Sequence, residues 1–169
     1  DLSKIEAGKL QLSPVEFSLE ALVSRIHAVF DLQMHAKGLA FSIDFPALKY
    51  RLLGDSTRLS QALVNYLSNA LKFTQQGRIS VQIVVAHETD TEVGLRFEVA
   101  DTGIGINPEN LQRIFQPFEQ EFGDTTRKFG GTGLGLSINR HLAAMMGGSV
   151  GVQSNPGEVG WAEAGQRCG

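Results

Sequence analysis

The sequence predicts an α+β domain with helices on one side of a mostly antiparallel sheet. Three features lead there. "GRISVQIVVA" and "EVGLRFEVAD" flank the polar stretch "HETDT" and read as two strands of a hairpin. Two long segments repeat instead at helical spacing, Leu19, Leu22, Val23, Ile26 and Phe30 in one and Leu59, Leu63, Leu67, Ala70 and Leu71 in the other. The alternation within the strands leaves one apolar and one polar face, as expected for helices on one side and solvent on the other.

The elements follow in order. "DLSKIEAGKL" reads as a helix finishing near Gly8 with an extended lead-out, so the chain is expected to begin inside a larger protein. A helix is expected across "SPVEFSLEALVSRIHAVFDLQMHAKG", with Gly38 as its stop. "LAFSID" alternates as a strand, and "YRLLGD" suggests a second short one. Asp55 or Ser56 is placed to cap a helix running to Phe73. After the hairpin, "NPENLQRIFQPF" predicts a short helix, "GLSINRHLAAMMGG" another that stops at Gly147, and "SVGVQS" a last short strand. No repeat and no long linker divides the 169 residues.

Composition narrows the function classes. Hydrophobic residues make up 42% of the chain, enough for a core, and mean hydropathy is -0.05. No apolar run reaches membrane-spanning length. A formal charge of -3 gives no general attraction to nucleic acid or to an anionic membrane. The single Cys168 cannot form an internal disulfide, and His27, His35, His87 and His141 lack metal-ligand spacing.

Three constellations carry candidate chemistry. Asn65, Asn69 and Lys72 stand at i, i+4 and i+7, so they project together from the second helix, away from Leu63, Leu67 and Leu71. Carboxamide oxygens and an ammonium suit a magnesium ion and the phosphates it bridges, although any exposed polar helix face looks similar. In "FEVADTGIGI", Asp101 continues the parity of Val93, Leu95, Phe97 and Val99. Its carboxylate should emerge on the core side at the strand's mouth, where it needs a donor such as an adenine amino group. Gly103 and Gly105 would let the backbone turn and approach a flat ring. A plain turn capped by Asp101 is the rival reading.

The third constellation is "RKFGGTGLGLS", with four glycines in the six positions 130–135 ahead of a helix whose first amides suit phosphate oxygens. It is neither a Walker loop nor a Rossmann fingerprint, since no GK[ST] follows and no strand–Gly–helix unit surrounds it. Thr132 adds a hydroxyl donor, and Arg127 and Lys128 add positive charge.

The ordered set resembles the ATP-binding catalytic domain of sensor histidine kinases, within the group that shares the Bergerat fold. "NYLSNALKF" is similar to that family's asparagine box, "DTGIGI" to its first glycine box, "FQPFEQ" to its phenylalanine box and "GGTGLGLSI" to its second glycine box. The resemblance covers roughly residues 15–155 and is most like that of hybrid sensor kinases. It implies a two-layer α/β sandwich, with residues 1–12 ending a dimerisation and phosphoacceptor helix, 13–155 forming the catalytic domain and 156–169 an atypical tail.

The same resemblance implies ATP and magnesium as ligands and assigns roles residue by residue. Asn69 would hold the metal, Asn65 the metal–phosphate region, Lys72 a phosphate and Asp101 the adenine amino group. Gly103 and Gly105 would shape the adenine side. Phe115 and Phe118 would anchor one end of a lid, with Gly131, Gly133 and Gly135 as its other hinge and Arg127, Lys128 and Thr132 near the phosphates. Asn65 is an amide where hydrolysing relatives carry a glutamate base, and an amide cannot take a proton from water. The implied reaction is therefore transfer of the γ-phosphoryl group to a histidine.

That phosphoacceptor histidine would belong to a separate domain absent from this chain, His27 and His35 being solvated or partly packed. A receiver domain of a response regulator would be an indirect partner, and the parent a homodimer with no nucleic-acid partner. The domain would be cytoplasmic, on a parent anchored in the inner membrane. The alternatives are a hydrolase of the same fold and a non-catalytic nucleotide-binding interaction module. One departure stands out: after "SNPG" the chain reads "EVGWAEAGQRCG", with little to bury, which predicts a missing or altered core strand.

Overall fold

The computed structural model describes residues 3–4, 7–103, 135–153 and 160–168. Strand β1, Val15–Phe17, leads into helix α1, Leu19–Ala36, and then come β2, Ala40–Asp44, and β3, Leu52–Gly54. Helix α2 spans Ser56–Phe73, followed by the hairpin of β4, Arg78–Glu88, and β5, Val93–Asp101. Helix α3, Gly135–Met145, and strands β6, Val150–Gln153, and β7, Gly160–Cys168, complete the described elements. The five-stranded sheet has the order β2-β4-β5-β7-β6, while β1 and β3 form a separate two-stranded ribbon. Among the described strands only β2 and β4 run parallel, so the sheet is mixed and mostly antiparallel, as the sequence predicts.

Side-chain period explains which faces close. In β4, Ile79, Val81 and Ile83 are buried, and in β5 so are Val93, Leu95, Phe97 and Val99. The pairs Val81↔Val99 and Ile83↔Phe97 place these residues opposite one another across the hairpin. Helix α1 adds Leu22, Ile26, Phe30 and Met34, and α2 adds Leu59, Leu63 and Leu67, to one continuous core. Fully burying one such side chain is worth about 1.5–3 kcal/mol.

Helix α1 stops where expected. Gly38 adopts φ +76°, a conformation costly for residues with a Cβ, and its N–H donates to the His35 carbonyl. Its start differs from the sequence expectation, because residues 15–17 form a strand. Pairing with β3, from Val15↔Gly54 to Phe17↔Leu52, satisfies that backbone, and the Ser18 hydroxyl caps the helix by accepting from Ala21 N–H.

The C-terminal expectation is corrected more strongly. Residues 160–168 form β7, paired with β5 from Val93↔Cys168 to Asp101↔Gly160 and with β6 on its other side. A ladder is made by backbone N–H and C=O groups, so a run short of large apolar residues can still occupy a central position. The core strand is present, and the edge of β5 is covered.

Asp55 ties the chain's entry to α2. One carboxylate oxygen accepts from Arg58 N–H at 3.0 Å, capping the helix, and the other accepts from Ser13 N–H at 2.8 Å. Nearby, Leu10 is buried against Ala62 of α2 and Leu142 of α3. At the opposite end of α2, the Lys37 ammonium donates to the Leu71 carbonyl, compensating the negative end of the helix. Asp55→Ala should lower stability in urea unfolding by about 1–3 kcal/mol, since it removes a cap and leaves a second N–H unmet. Ser18→Ala, at an exposed cap, should cost less; equal losses would contradict the bridging role of Asp55.

Candidate functional site

The site is built where β5 and α2 both end. Strand parity carries Asp101 to the apolar side of the sheet after Val99, and its carboxylate Oδ1 accepts from Gly103 N–H at 2.8 Å. Burial raises the Asp101 pKa above its ordinary 3.8, while the Gly103 N–H and the Thr74 hydroxyl partly offset that rise. Thr74 caps α2 through its own N–H to Ala70 and is fully buried. Its hydroxyl faces Asp101 electrostatically but makes no hydrogen bond of normal geometry.

Gly103 is required here by contact. A Cβ at that position would lie 2.6 Å from the Phe73 carbonyl oxygen and 2.8 Å from Asp101 Oδ1. The glycine thus lets the segment leaving β5 press against the C-terminus of α2. Thr102 braces the same junction, accepting from Arg78 N–H at 3.1 Å and donating to the Gln76 carbonyl at 3.0 Å.

Asn65, Asn69 and Lys72 lie on α2 as half-buried residues, between the fully enclosed positions Tyr66, Leu67 and Ala70. Lys72 falls in the last turn, beside the Phe73–Gly103 contact. Lys72 is thus next in sequence to the helix end that meets Gly103. Amide oxygens are hard neutral ligands suited to magnesium, and the ammonium suits phosphate, so the donor set fits a magnesium-bound nucleotide. Gly135 opens α3, while Gly105, Phe115, Phe118, Arg127, Lys128, Gly131, Thr132 and Gly133 lie outside the described residues. His27 is half-exposed and stacks on Phe41, with ring centroids 5.4 Å apart, as expected of a partly packed residue.

One residue of the site was missed from the sequence. Asn139 of α3 is 1% exposed and joins the two helices. Its Nδ2 donates to the Ala62 carbonyl at 3.0 Å, and its Oδ1 accepts from Asn65 Nδ2 at 3.0 Å. The Tyr66 hydroxyl lies beside it without a hydrogen bond of normal geometry, and burial holds that phenol protonated far above its ordinary pKa. A signal was available: Asn139 shares an i, i+3, i+4, i+7 stripe with Leu142, Ala143 and Met146, and a polar residue there needs a partner.

Residues 54–165 match the family model described as histidine kinase-, DNA gyrase B- and HSP90-like ATPase. The chain belongs to this family. Within it, the fold and sequence are those of the Bergerat-type ATP-binding catalytic domain of sensor histidine kinases. Sensor histidine kinase GacS of Pseudomonas protegens is 42% identical over 159 residues, covering 94% of this chain and 17% of the relative. Hybrid signal transduction histidine kinase B of Dictyostelium discoideum is 39% identical over 158 residues, covering 93% and 8%.

Among solved structures, full-length ShkA in complex with AMPPNP superposes with a TM-score of 0.78 at 33% identity, over 96% of this chain and 33% of that one. The nucleotide-free catalytic domain of histidine kinase ThkA gives a TM-score of 0.71 at 26% identity, over 91% and 98%. The chain thus spans less than a fifth of the two sensor kinases it matches in sequence. Membership in the family implies ATP and magnesium binding, and no helix among the described residues is long and apolar enough to cross a membrane.

The raised Asp101 pKa has a consequence for stability. The folded state disfavours the ionised form, so the native protein keeps this proton to a higher pH than the unfolded chain. Its stabilising contribution is complete below 3.8 and is lost as pH rises from there through the native value. Asp101→Asn, which keeps an oxygen for Gly103 N–H without the charge, should be more stable than wild type in urea at neutral pH. That advantage should shrink as pH falls toward 3.8. An advantage that is absent at neutral pH, or that grows in acid, would show that the carboxylate is not penalised by its surroundings.

Proposed function

We propose that this domain holds magnesium-bound ATP and presents its γ-phosphoryl group to a histidine on the phosphoacceptor domain of the parent kinase. The observation that carries the reading is the Asp101 corner. An acidic side chain raised in pKa by burial, with a glycine pressed against the adjoining helix end, suits recognition of a flat base carrying an amino group. Asp101 would accept from the adenine amino group, with Gly103 and Gly105 along the ring.

The polar face of α2 would serve the phosphates. Asn69 would hold the magnesium through its amide oxygen, Asn65 would act in the metal–phosphate region and Lys72 would place a positive charge at a phosphate. When bound, magnesium would offset the charge of the phosphate oxygens. The chain's own catalytic contribution would be placement and charge compensation, since Asn65 has no basic atom to activate water. Arg127, Lys128, Gly131, Thr132, Gly133 and Gly135 are proposed as further phosphate-side contacts on the strength of the sequence pattern.

The longer architecture of the relatives supports the rest of the proposal. Residues 1–12 would end the dimerisation and phosphoacceptor helix of a homodimeric parent, and the phosphoryl group would pass on to a receiver aspartate. The domain would work on the cytoplasmic side of a membrane-anchored parent.

Calorimetric titration with ATP, ADP and adenosine, with and without magnesium, tests the binding step. Asp101→Asn should weaken all three by about 1–3 kcal/mol, because its oxygen is engaged by Gly103 N–H and its NH2 would meet the adenine amino group. Asn69→Ala should cut the magnesium-dependent part of ATP affinity and spare adenosine. Wild-type affinity in a folded Asp101→Asn protein would sink the adenine assignment, and equal loss of ATP and adenosine in Asn69→Ala would sink the metal assignment.

A further inference from the structure

Asn139 lies outside the residues assigned to the nucleotide, yet it holds one of them. A buried carboxamide can be placed either way round unless its partners decide, because its oxygen only accepts and its nitrogen only donates. Here the decision starts at the backbone. The Ala62 carbonyl can only accept, so the Asn139 atom facing it must be Nδ2. The other end of the same planar amide is then Oδ1, and the Asn65 atom that meets it at 3.0 Å must be the donor Nδ2. Amide planarity sends the Asn65 carbonyl oxygen to the other side of its own group, away from Asn139. That oxygen is the one atom of the side chain able to ligate a cation.

We propose that Asn139 is a positioning residue for the magnesium–phosphate end of the site. It fixes the flip of the Asn65 carboxamide so that oxygen, not nitrogen, is presented away from α3. The inference rests on the proposed role of Asn65 at the metal–phosphate region. The setting makes the constraint firm: Asn139 is 1% exposed, and Leu142 and Ala143 beside it are buried. In such surroundings an unmade hydrogen bond is expensive, so the reversed Asn65 rotamer, which would set oxygen against oxygen, is strongly disfavoured. The same logic disfavours a carboxylate at position 65, which has no hydrogen to offer Asn139 Oδ1. Asn139 thus also selects an amide at the position where a water-activating base would stand.

A double-mutant cycle tests this with calorimetry on wild type, Asn65→Ala, Asn139→Leu and the double variant, using magnesium with the non-hydrolysable analogue AMPPNP, and adenosine alone. Asn139→Leu should weaken magnesium–AMPPNP about fivefold or more, the scale of one hydrogen bond, and change adenosine by less than about twofold. In the Asn65→Ala background that loss should vanish. Equal losses for both ligands, no loss at all, or a loss that persists without Asn65 would overturn the positioning role. If Asn65→Ala weakens magnesium–AMPPNP and Asn139→Leu does not, the inference alone fails. If Asn65→Ala itself has no effect, the proposed role of Asn65 fails and the inference with it.

Should Asn139→Leu not fold, the wild-type protein still decides. The Asn65 side-chain Nδ2 protons should give two resolved, slowly exchanging NMR signals without nucleotide or metal. Exchange at the rate of a solvated amide would overturn the proposal.

Discussion

Helix α2 has to serve two surfaces with one set of eighteen residues. Leu59, Leu63 and Leu67 close the core over the sheet, while Asn65, Asn69 and Lys72 stand half-buried on another face and are proposed to serve the nucleotide. The helical period makes this division possible, and it also makes it rigid. Rotating α2 to improve either face would spoil the other. The remaining architecture holds that rotation fixed: Asp55 at the start of the helix, Lys37 at the Leu71 carbonyl, Gly103 against Phe73 and Asn139 at Ala62. These contacts come from Ser13 ahead of β1, from the residue that follows α1, from the segment after β5 and from α3, so distant parts of the chain converge on one helix.

Asp101 carries a stability cost in the free protein. A carboxylate at that place in the sheet is disfavoured by burial and only partly compensated by Gly103 and Thr74. A fold selected for stability alone would put an amide or an apolar residue there. Retaining the acid makes sense if a ligand supplies the missing donor, in which case the cost to the free protein becomes part of the affinity and selectivity for that ligand. Asn65 and Asn139 differ, since Asn139 is satisfied inside the protein by the Ala62 carbonyl and the Asn65 amide, which fixes which way round the Asn65 carboxamide sits.

Periodic features were legible in the sequence because periodicity is local. The bounds of α2, the Asp55 cap, the hairpin and the inward parity of Asp101 all follow from spacing within a dozen residues. The pattern also put Asn65, Asn69 and Lys72 on one face. Long-range pairing was not legible in the same way. β1 is three residues long, and its stability comes from β3, more than thirty residues later. β7 carries few large apolar side chains, and what defines it is the backbone of β5 and β6 on either side. The Asn65–Asn139 bond spans 74 residues, so the stripe on α3 could show that Asn139 needed a partner but not which partner.

The central claim is that Asp101 is held in the sheet as an acceptor awaiting an adenine donor. Its carboxyl 13C resonance, followed across a pH titration, tests this directly in the free protein and with saturating adenosine. Without ligand the pKa should lie above the ordinary 3.8, and adenosine should draw it down, because a donated hydrogen bond favours the ionised form. Inorganic phosphate in place of adenosine should leave it where it was. An Asp101 pKa that adenosine does not move, or moves upward, would contradict the account.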